Sequence, residues 1–407
     1  LISKFFSIFI FLTILHLFVL KSNTYAQKTP LSQSKSVNAA FLDTIPFEFK
    51  KNKIIISVFL NGKQRKFILD TGAPVLITKE LQEECQFKII KKELISDING
   101  RLDSTYRLQV PHIQIGKVDF KEITGSLADL NAGLLACFQI EGIIGSNLLK
   151  NSILHIDYQK KQIILTNQIK KLRLSSENAI PLLLEENQGT PIIDIKPFPQ
   201  AKEQILIDTG DDGFYSMGLR SFYFFMENTN LHQYLVSQAK GADTYGLHGL
   251  EQDTTKHILH FDSLKIGKNY FSGVRTTTYT NPNSRIGAEL LRYGTVTIDY
   301  LNRQFYFVPF SNLQPIVLQS SRDTKLGFSL KGEDNLLKIG AVWEGSQAWQ
   351  KGIKSNEIIE KINDYELLGK NICELLFLLE QIFEKESTYI FILSDEQGNK
   401  RTVTLQI

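Results

Sequence analysis

Residues 145–165 read GSNLLKNSILHIDYQKKQIIL, and residues 287–307 read GAELLRYGTVTIDYLNRQFYF. The two stretches align without a gap. Gly145 falls on Gly287, Leu148-Leu149 on Leu290-Leu291, and Ile156-Asp157-Tyr158 on Ile298-Asp299-Tyr300. Upstream of each, an apolar run ends in Asp-Thr-Gly: FILDTGA at 67–73 and ILIDTGD at 205–211. Seventy-five residues separate Asp70 from Gly145, and 79 separate Asp208 from Gly287. The match reaches further back, where Ile45-Pro46-Phe47 has its counterpart in Ile180-Pro181-Leu182. Between triplet and repeat, IQIGKVDF at 113–120 corresponds to LKIGKNYF at 264–271. Each copy exceeds a hundred residues, too long for a solenoid period, so the pattern is that of a duplicated domain.

Around these landmarks the chain reads as mostly β. Lys53–Leu60 and Gln64–Leu69 flank Asn61-Gly62, a pair that tolerates the positive φ a two-residue hairpin needs. The second of these strands runs straight into Asp70. Hydrophobic residues make up 43% and charged residues 22%, as in ordinary folded proteins. A net charge of +3 gives no electrostatic footprint for nucleic acid or a membrane surface. Residues 1–26 read as a secretory signal peptide: Lys4, an apolar run from Phe5 to Leu20, then Thr24-Tyr25-Ala26 before the cut. That run is shorter than the roughly 20 residues of a spanning helix, so export to a periplasmic or extracellular space is expected, with no stable membrane span after cleavage. Residues 27–43 read as a polar, flexible leader. The expected domains are then 44–172 and 173–312 for the two copies, a linker at Ser311–Ser321, and a C-terminal domain at 320–407.

Two Asp-Thr-Gly triplets placed alike in a duplicated chain point to one chemistry. Water is a poor nucleophile toward an amide. Two carboxylates that share one proton can activate it, because like charges this close cannot both ionise. One takes a proton from water while the other protonates the carbonyl oxygen. Gly lets each loop turn sharply and offers a backbone N–H to the carboxylate. Thr offers a hydroxyl that can bond across to the opposing loop. One triplet supplies half of this arrangement, and a duplicated chain supplies both halves.

On these residues the chain resembles the aspartic peptidase superfamily, and within it the retropepsin-like branch. FILDTGA resembles the strand and loop of retroviral proteases, including Ala73 after the Gly, and GIIGSNLL at 142–149 resembles their later segment. The resemblance covers roughly residues 44–310. It implies two closed, barrel-like lobes in one chain, as in pepsin, with a peptide substrate lying in the cleft between them. It implies Asp70 and Asp208 as the catalytic dyad, with Thr71, Gly72, Ala73, Thr209 and Gly210 as scaffold. Mobile hairpins covering the substrate are also implied, at Asn99-Gly100 and at Gly246–Gly249. Two departures stand out. Arg285-Ile286-Gly287 has one apolar residue before the Gly where the first copy has two. Asp211, followed by Asp212, sits where the family carries Ser, Thr or Ala. Three readings of Asp211 stand: a modulator that raises an apparent pKa of the dyad, a solvated side chain, or the mark of a lobe that has lost catalysis.

The last stretch has its own character. Leu326-Gly327-Phe328, followed by GAVWEGSQAWQKGIKSNEIIEKINDYEL at 340–367, resembles PDZ domains. The resemblance implies a carboxylate-binding loop at Leu326, Gly327 and Phe328, and capture of a peptide C-terminus by strand addition. Asn356-Glu357 replaces the family's Gly-Asp but keeps a residue tolerant of positive φ. Apolar residues at helical spacing predict a helix over Asn371–Glu384, the other wall of the groove.

Other chemistries find no footing. No glycine-rich phosphate loop, Ser-centred elbow or metal-binding motif occurs, and no cofactor is expected. His257 and His260 lie on a predicted strand, where i and i+3 face opposite sides. Asp157 and Asp299 recur as structural repeat positions. Of Cys85, Cys137 and Cys373, a Cys85–Cys137 bridge is one option, but buried free thiols are the expectation. Two functions remain open, an aspartic endopeptidase and a non-catalytic exported peptide-binding protein on the same scaffold.

Overall fold

The computed structural model describes residues 34–319, 323–385 and 387–406. The expected signal peptide, and the leader as far as residue 33, lie outside them. The rest of the leader is not the free segment expected. Ser34 is buried and its hydroxyl donates to the Asn147 carbonyl, Lys35–Ser36 pairs with the strand Val118–Leu127, and Phe41 joins the main core. Among the described residues no helix is long and apolar enough to cross a membrane.

The strands form as the alternation predicts. Lys53–Leu60 pairs with Lys63–Asp70 through Asn61 (φ 52°) and Gly62 (φ 73°), both in the left-handed region that this reversal requires. The strand ending at Asp70 then runs parallel to Gly142–Gly145, with Asp70 beside Gly145. Gly142–Gly145 lies antiparallel to Val75–Ile77, which lies parallel to Val118–Leu127.

The second copy repeats the order and the directions. Glu203–Ile207 is parallel to Arg285–Ile286, that strand is antiparallel to Tyr215–Gly218, and Tyr215–Gly218 is parallel to Val274–Tyr279. Even a single contact recurs: a Cβ on Gly116 would meet Ile45 Cγ1 at 2.9 Å, and one on Gly267 would meet Ile180 Cδ1 at 2.6 Å. The quoted repeats themselves join the copies. Ile153–Asp157 and Gly294–Asp299 pair antiparallel, Leu154 opposite Ile298. They sit at the centre of the strand series Leu42–Lys50, Gln162–Thr166, Ile153–Asp157, Gly294–Asp299, Gln304–Pro309 and Ala179–Pro181. Asp157 and Asp299 accept the backbone N–H of Lys160 (3.1 Å) and Asn302 (2.9 Å), which fixes the following turns.

Alternation splits the sheet beside Asp70 into two faces. Phe67, Leu69, Val75, Ile77 and Ile144 enter the main core, whereas Ile68, Leu76 and Ile143 belong to a separate apolar cluster. The segment expected as a linker is partly strand: Ile316–Val317 pairs parallel with Phe271-Ser272, extending the second copy to about residue 318.

The C-terminal unit is a sheet in the order Phe328–Glu333, Leu336–Val342, Ile358–Ile362, Thr388–Ser394, Lys400–Gln406. Its long helix spans Ile372–Lys385, within a residue of expectation. Asn371 Oδ1 accepts the N–H groups of Cys373 and Glu374 at 3.0 Å, and Glu374 returns a bond to the Asn371 N–H at 2.8 Å, a reciprocal cap. Asn356 has φ 72°. The expectation of free thiols fails here. Cys137, in the turn Gly133–Phe138, is bridged to Cys373 in this helix, 236 residues away, and Cys85 stays free. Such a pairing depends on the helix packing against that turn, which cysteine spacing does not encode.

Candidate active site

The two Asp-Thr-Gly loops meet face to face. Thr71 Oγ1 donates to the Ile207 carbonyl at 2.7 Å and accepts the Thr209 N–H at 3.0 Å. Thr209 Oγ1 donates to the Leu69 carbonyl at 2.9 Å and accepts the Thr71 N–H at 3.1 Å. Both threonines are buried. The glycines allow the approach. A Cβ on Gly72 would sit 2.4 Å from the Asp208 carboxyl carbon, and one on Gly210 would sit 2.3 Å from that of Asp70. Gly145 and Gly287 lie behind the loops: a Cβ would strike the Ala73 carbonyl oxygen at 2.2 Å in one copy and the Gly213 carbonyl oxygen at 2.4 Å in the other.

Each carboxylate is oriented by its own loop. Asp70 Oδ1 accepts from Gly72 N–H (2.8 Å) and Ala73 N–H (3.1 Å), and Asp208 Oδ1 accepts from Gly210 N–H (2.9 Å). The loops are also held from outside in a paired way. Lys53 Nζ donates to the Gly210 carbonyl, and Gln188 Nε2 donates to the Gly72 carbonyl at 2.8 Å. Burial, together with the charge of Asp208 and a hydrogen bond to it, pushes Asp70 up to about 8. The Gly72 N–H and the charge of Lys53 oppose that rise.

The two carboxylates do not have the same surroundings. Arg285 Nη1 contacts Asp208 Oδ2 at 2.6 Å, and Arg285 Nε donates to the Tyr279 hydroxyl at 2.7 Å. Burial works against the charge of Arg285, but Asp208, Tyr279 and Asp211 outweigh it and hold the guanidinium protonated. Its only sequence signal was the missing apolar residue before Ile286-Gly287. Lys53 and Gln188 gave none.

Asp211 is not the solvated side chain of one expectation. Its carboxylate is largely buried, accepts the Gly213 N–H at 2.8 Å, and lies 3.9 Å from Arg285 Nε, while Asp212 is exposed. Burial pushes Asp211 up to about 6. Arg285 pulls it down, and the charges of Asp212 and Asp208 add to the rise.

The two hairpins expected to cover the site touch each other. Asn99 Nδ2 donates to the carbonyls of Thr244 (3.2 Å) and Gly249 (3.3 Å). Arg101 Nη1 donates to Leu250 (2.9 Å), and His248 N–H to Asp97 Oδ2 (3.0 Å). Leu326, Gly327 and Phe328 stand apart from this site, at the start of the C-terminal sheet. Gly327 adopts φ 85°, and its carbonyl accepts from Trp343 N–H and Ser346 Oγ, both at 3.0 Å. His257 stacks on Phe222 at 4.3 Å, and among the described residues no group of three or more potential metal ligands is gathered.

The cross-bonded threonines make a stability prediction. Thr71→Val keeps the shape but leaves the Ile207 carbonyl and the Thr209 N–H unpaired in a buried place. The variant should lose about 2–4 kcal/mol in urea unfolding, whereas Thr71→Ser should lose little.

No curated protein sequence matches the chain. Among solved structures it is similar to a retropepsin-like aspartic protease from Rickettsia conorii, 21% identical over 32% of this chain and 94% of that one, with a TM-score of 0.24. It is also similar to Basic 7S globulin from soybean, 12% identical over 66% of this chain and 95% of that one, with a TM-score of 0.41. Residues 56–148 match the family model described as Aspartyl protease. The matched segment contains FILDTGA, with Asp70, and GIIG, and over it the chain is similar to the aspartyl protease family.

Proposed function

We propose that the chain is an exported aspartic endopeptidase whose two copies form barrel-like lobes around one cleft, with Asp70 and Asp208 as the catalytic pair. The observation that carries this reading is the reciprocal Thr71–Thr209 arrangement, which sets both carboxylates against the opposing glycines. Asp70, raised to about 8, carries the shared proton at neutral pH. A water held between the carboxylates gives its proton to Asp208 as its oxygen attacks the scissile carbonyl. Asp70 protonates the carbonyl oxygen. The tetrahedral intermediate then collapses with proton transfer to the leaving amine. The hairpins at Asn99-Gly100 and Gly246–Gly249 act as flaps that exclude water. The Cys137–Cys373 bridge fits an oxidising compartment. Cleavage of a mixed peptide library, blocked by a peptide with a hydroxyl in place of the scissile carbonyl, tests the reading.

The C-terminal unit, on this reading, is a PDZ-like domain that adds a peptide strand to the edge of Phe328–Glu333, with Leu326, Gly327 and Phe328 as the carboxylate nest. The edge position of that strand in its sheet supports this. Titration of the full chain should show free-acid peptides binding more tightly than amidated ones, and equal affinity would exclude carboxylate recognition.

A second reading, a non-catalytic exported peptide-binding protein, is favoured by the same ion pair that distinguishes the site. Arg285 takes up one oxygen of Asp208, and Asp211 adds a third buried carboxylate. Library cleavage separates the two.

A further inference from the structure

Ile68 lies two residues before Asp70 on one strand, so both side chains leave the same face of the sheet. Ile143 is in register with Ile68, and Leu76 with Ile143. These three form an apolar floor beside the Asp70 carboxylate. In an open cleft such a floor stays wet until a substrate side chain lies on it. Here it is dry: Ile68 is 2%, Leu76 4% and Ile143 5% exposed. The cover comes from the chain itself. The floor shares its cluster with Ile55, Ala128, Leu130, Phe138 and Ile140 of the same copy, and Leu247, from the tip of the second flap, and Leu376, from the C-terminal helix, pack against that cluster from outside the copy.

Both covering elements are tied down. The helix is bonded to the turn Gly133–Phe138 through Cys137–Cys373. Beside the bridge, Phe377 packs edge-on against Phe138 at 6.5 Å, and Glu380 meets Lys51 at 3.3 Å. The tip that carries Leu247 is bonded to the first flap as described above. It is also bonded to the C-terminal sheet, where the Tyr245 hydroxyl donates to the Gly332 carbonyl and accepts the Gly332 N–H at 2.5 Å. Gly332 is on Phe328–Glu333, the strand proposed to receive a peptide. At the root of the tip, buried Lys256 is clamped between Asp243 and Glu251.

We propose that this is a self-occluded state of the peptidase. Leu376 and Leu247 hold the apolar ground beside Asp70 that a substrate side chain would occupy, and Cys137–Cys373 is the latch. The proposal rests on the endopeptidase reading above. Unlatching by an external dithiol is a two-electron exchange. The Cys137–Cys373 S–S bond breaks, both cysteines end as thiols with the dithiol's two protons, and the dithiol becomes a disulfide. The helix is then held to the first copy by apolar packing and a half-exposed Lys51–Glu380 pair, which holds it weakly, while the C-terminal sheet stays joined to the second copy through Tyr245–Gly332 and Ser237–Glu344.

The test uses the full-length protein in five forms: oxidised, reduced with dithiothreitol, Cys373→Ser, Leu376→Ala and Cys85→Ser. Two probes are read on each, the affinity of a leucine-containing statine peptide and the hydrolysis of leucine-containing peptides. Reduction and Cys373→Ser should each tighten statine binding and speed hydrolysis about tenfold or more, and Cys85→Ser should change neither. Leu376→Ala keeps the bridge and should still tighten binding several-fold. It decides the matter if Cys373→Ser does not fold. Equal affinity and equal turnover in all folded forms would overturn the latch and leave the peptidase reading standing. Tighter statine binding on unlatching, with no hydrolysis in any form, would support the latch and sink the peptidase reading instead.

Discussion

Asp70→Asn and Asp208→Asn should each lower peptide hydrolysis about a thousandfold or more, with substrate affinity little changed. Asn keeps the shape and the bonds from Gly72 and Gly210 but cannot take up or deliver the shared proton. Residues that act as one unit are not additive, so the double variant should be no slower than either single one. The pH profile should carry the same signature. Activity needs Asp70 protonated, so its basic limb should fall near 8, where Asp70 loses that proton. This places the working range near neutrality. Stability should respond with a defined sign. Asp70 is raised in the folded chain above its unfolded value of about 4, so the stability tied to its proton is complete below about pH 4 and lost as pH rises through about 8. Asp70→Asn should therefore melt above the parent at about pH 8–9, and the gap should close at low pH. Hydrolysis that survives in either Asn variant would remove the aspartic mechanism.

The sequence carried the frame of the molecule because the frame is periodic and duplicated. Ile156-Asp157-Tyr158 and Ile298-Asp299-Tyr300 matched in the chain, and in space their strands pair with each other. Asn61-Gly62 stated its hairpin, and apolar residues at helical spacing stated the C-terminal helix. What stayed hidden was set by contacts between distant segments. Cys137 and Cys373 meet only because a helix of the C-terminal unit packs on the first copy. Leu376 reads as one more apolar helix residue until the surface beneath it is known. Lys53 opens a strand and Gln188 sits in a turn, both ordinary polar residues, and only the meeting of the two loops gives them carbonyls to hold. Arg285 lay between these cases. Its departure from the first copy was visible, but that it turns toward Asp208 was not.

That departure leads to the second large effect. Arg285→Met removes the cation that contacts Asp208 and leaves Asp208 and Asp211 buried without it. Breaking a buried pair from one side costs about 3–5 kcal/mol, because the remaining charge has lost its partner. The loss should show in urea unfolding at neutral pH. It should shrink as pH falls and the carboxylates take up protons. Without the cation beside the carboxylates, the hydrolysis profile should move to higher pH. Arg285→Lys keeps the charge but not the fork that reaches Asp208 and Tyr279 together, so it should recover much of the stability and part of the profile. The paired change Arg285→Met with Asp211→Ser takes away the cation and one of the two carboxylates it serves. It should be more stable than Arg285→Met alone. Its activity separates the two functions. If Arg285 positions Asp208 for catalysis, the paired variant is slower than the parent and shifted in pH. If the ion pair silences Asp208 in a protein that only binds peptides, the paired variant hydrolyses peptides that the parent leaves intact.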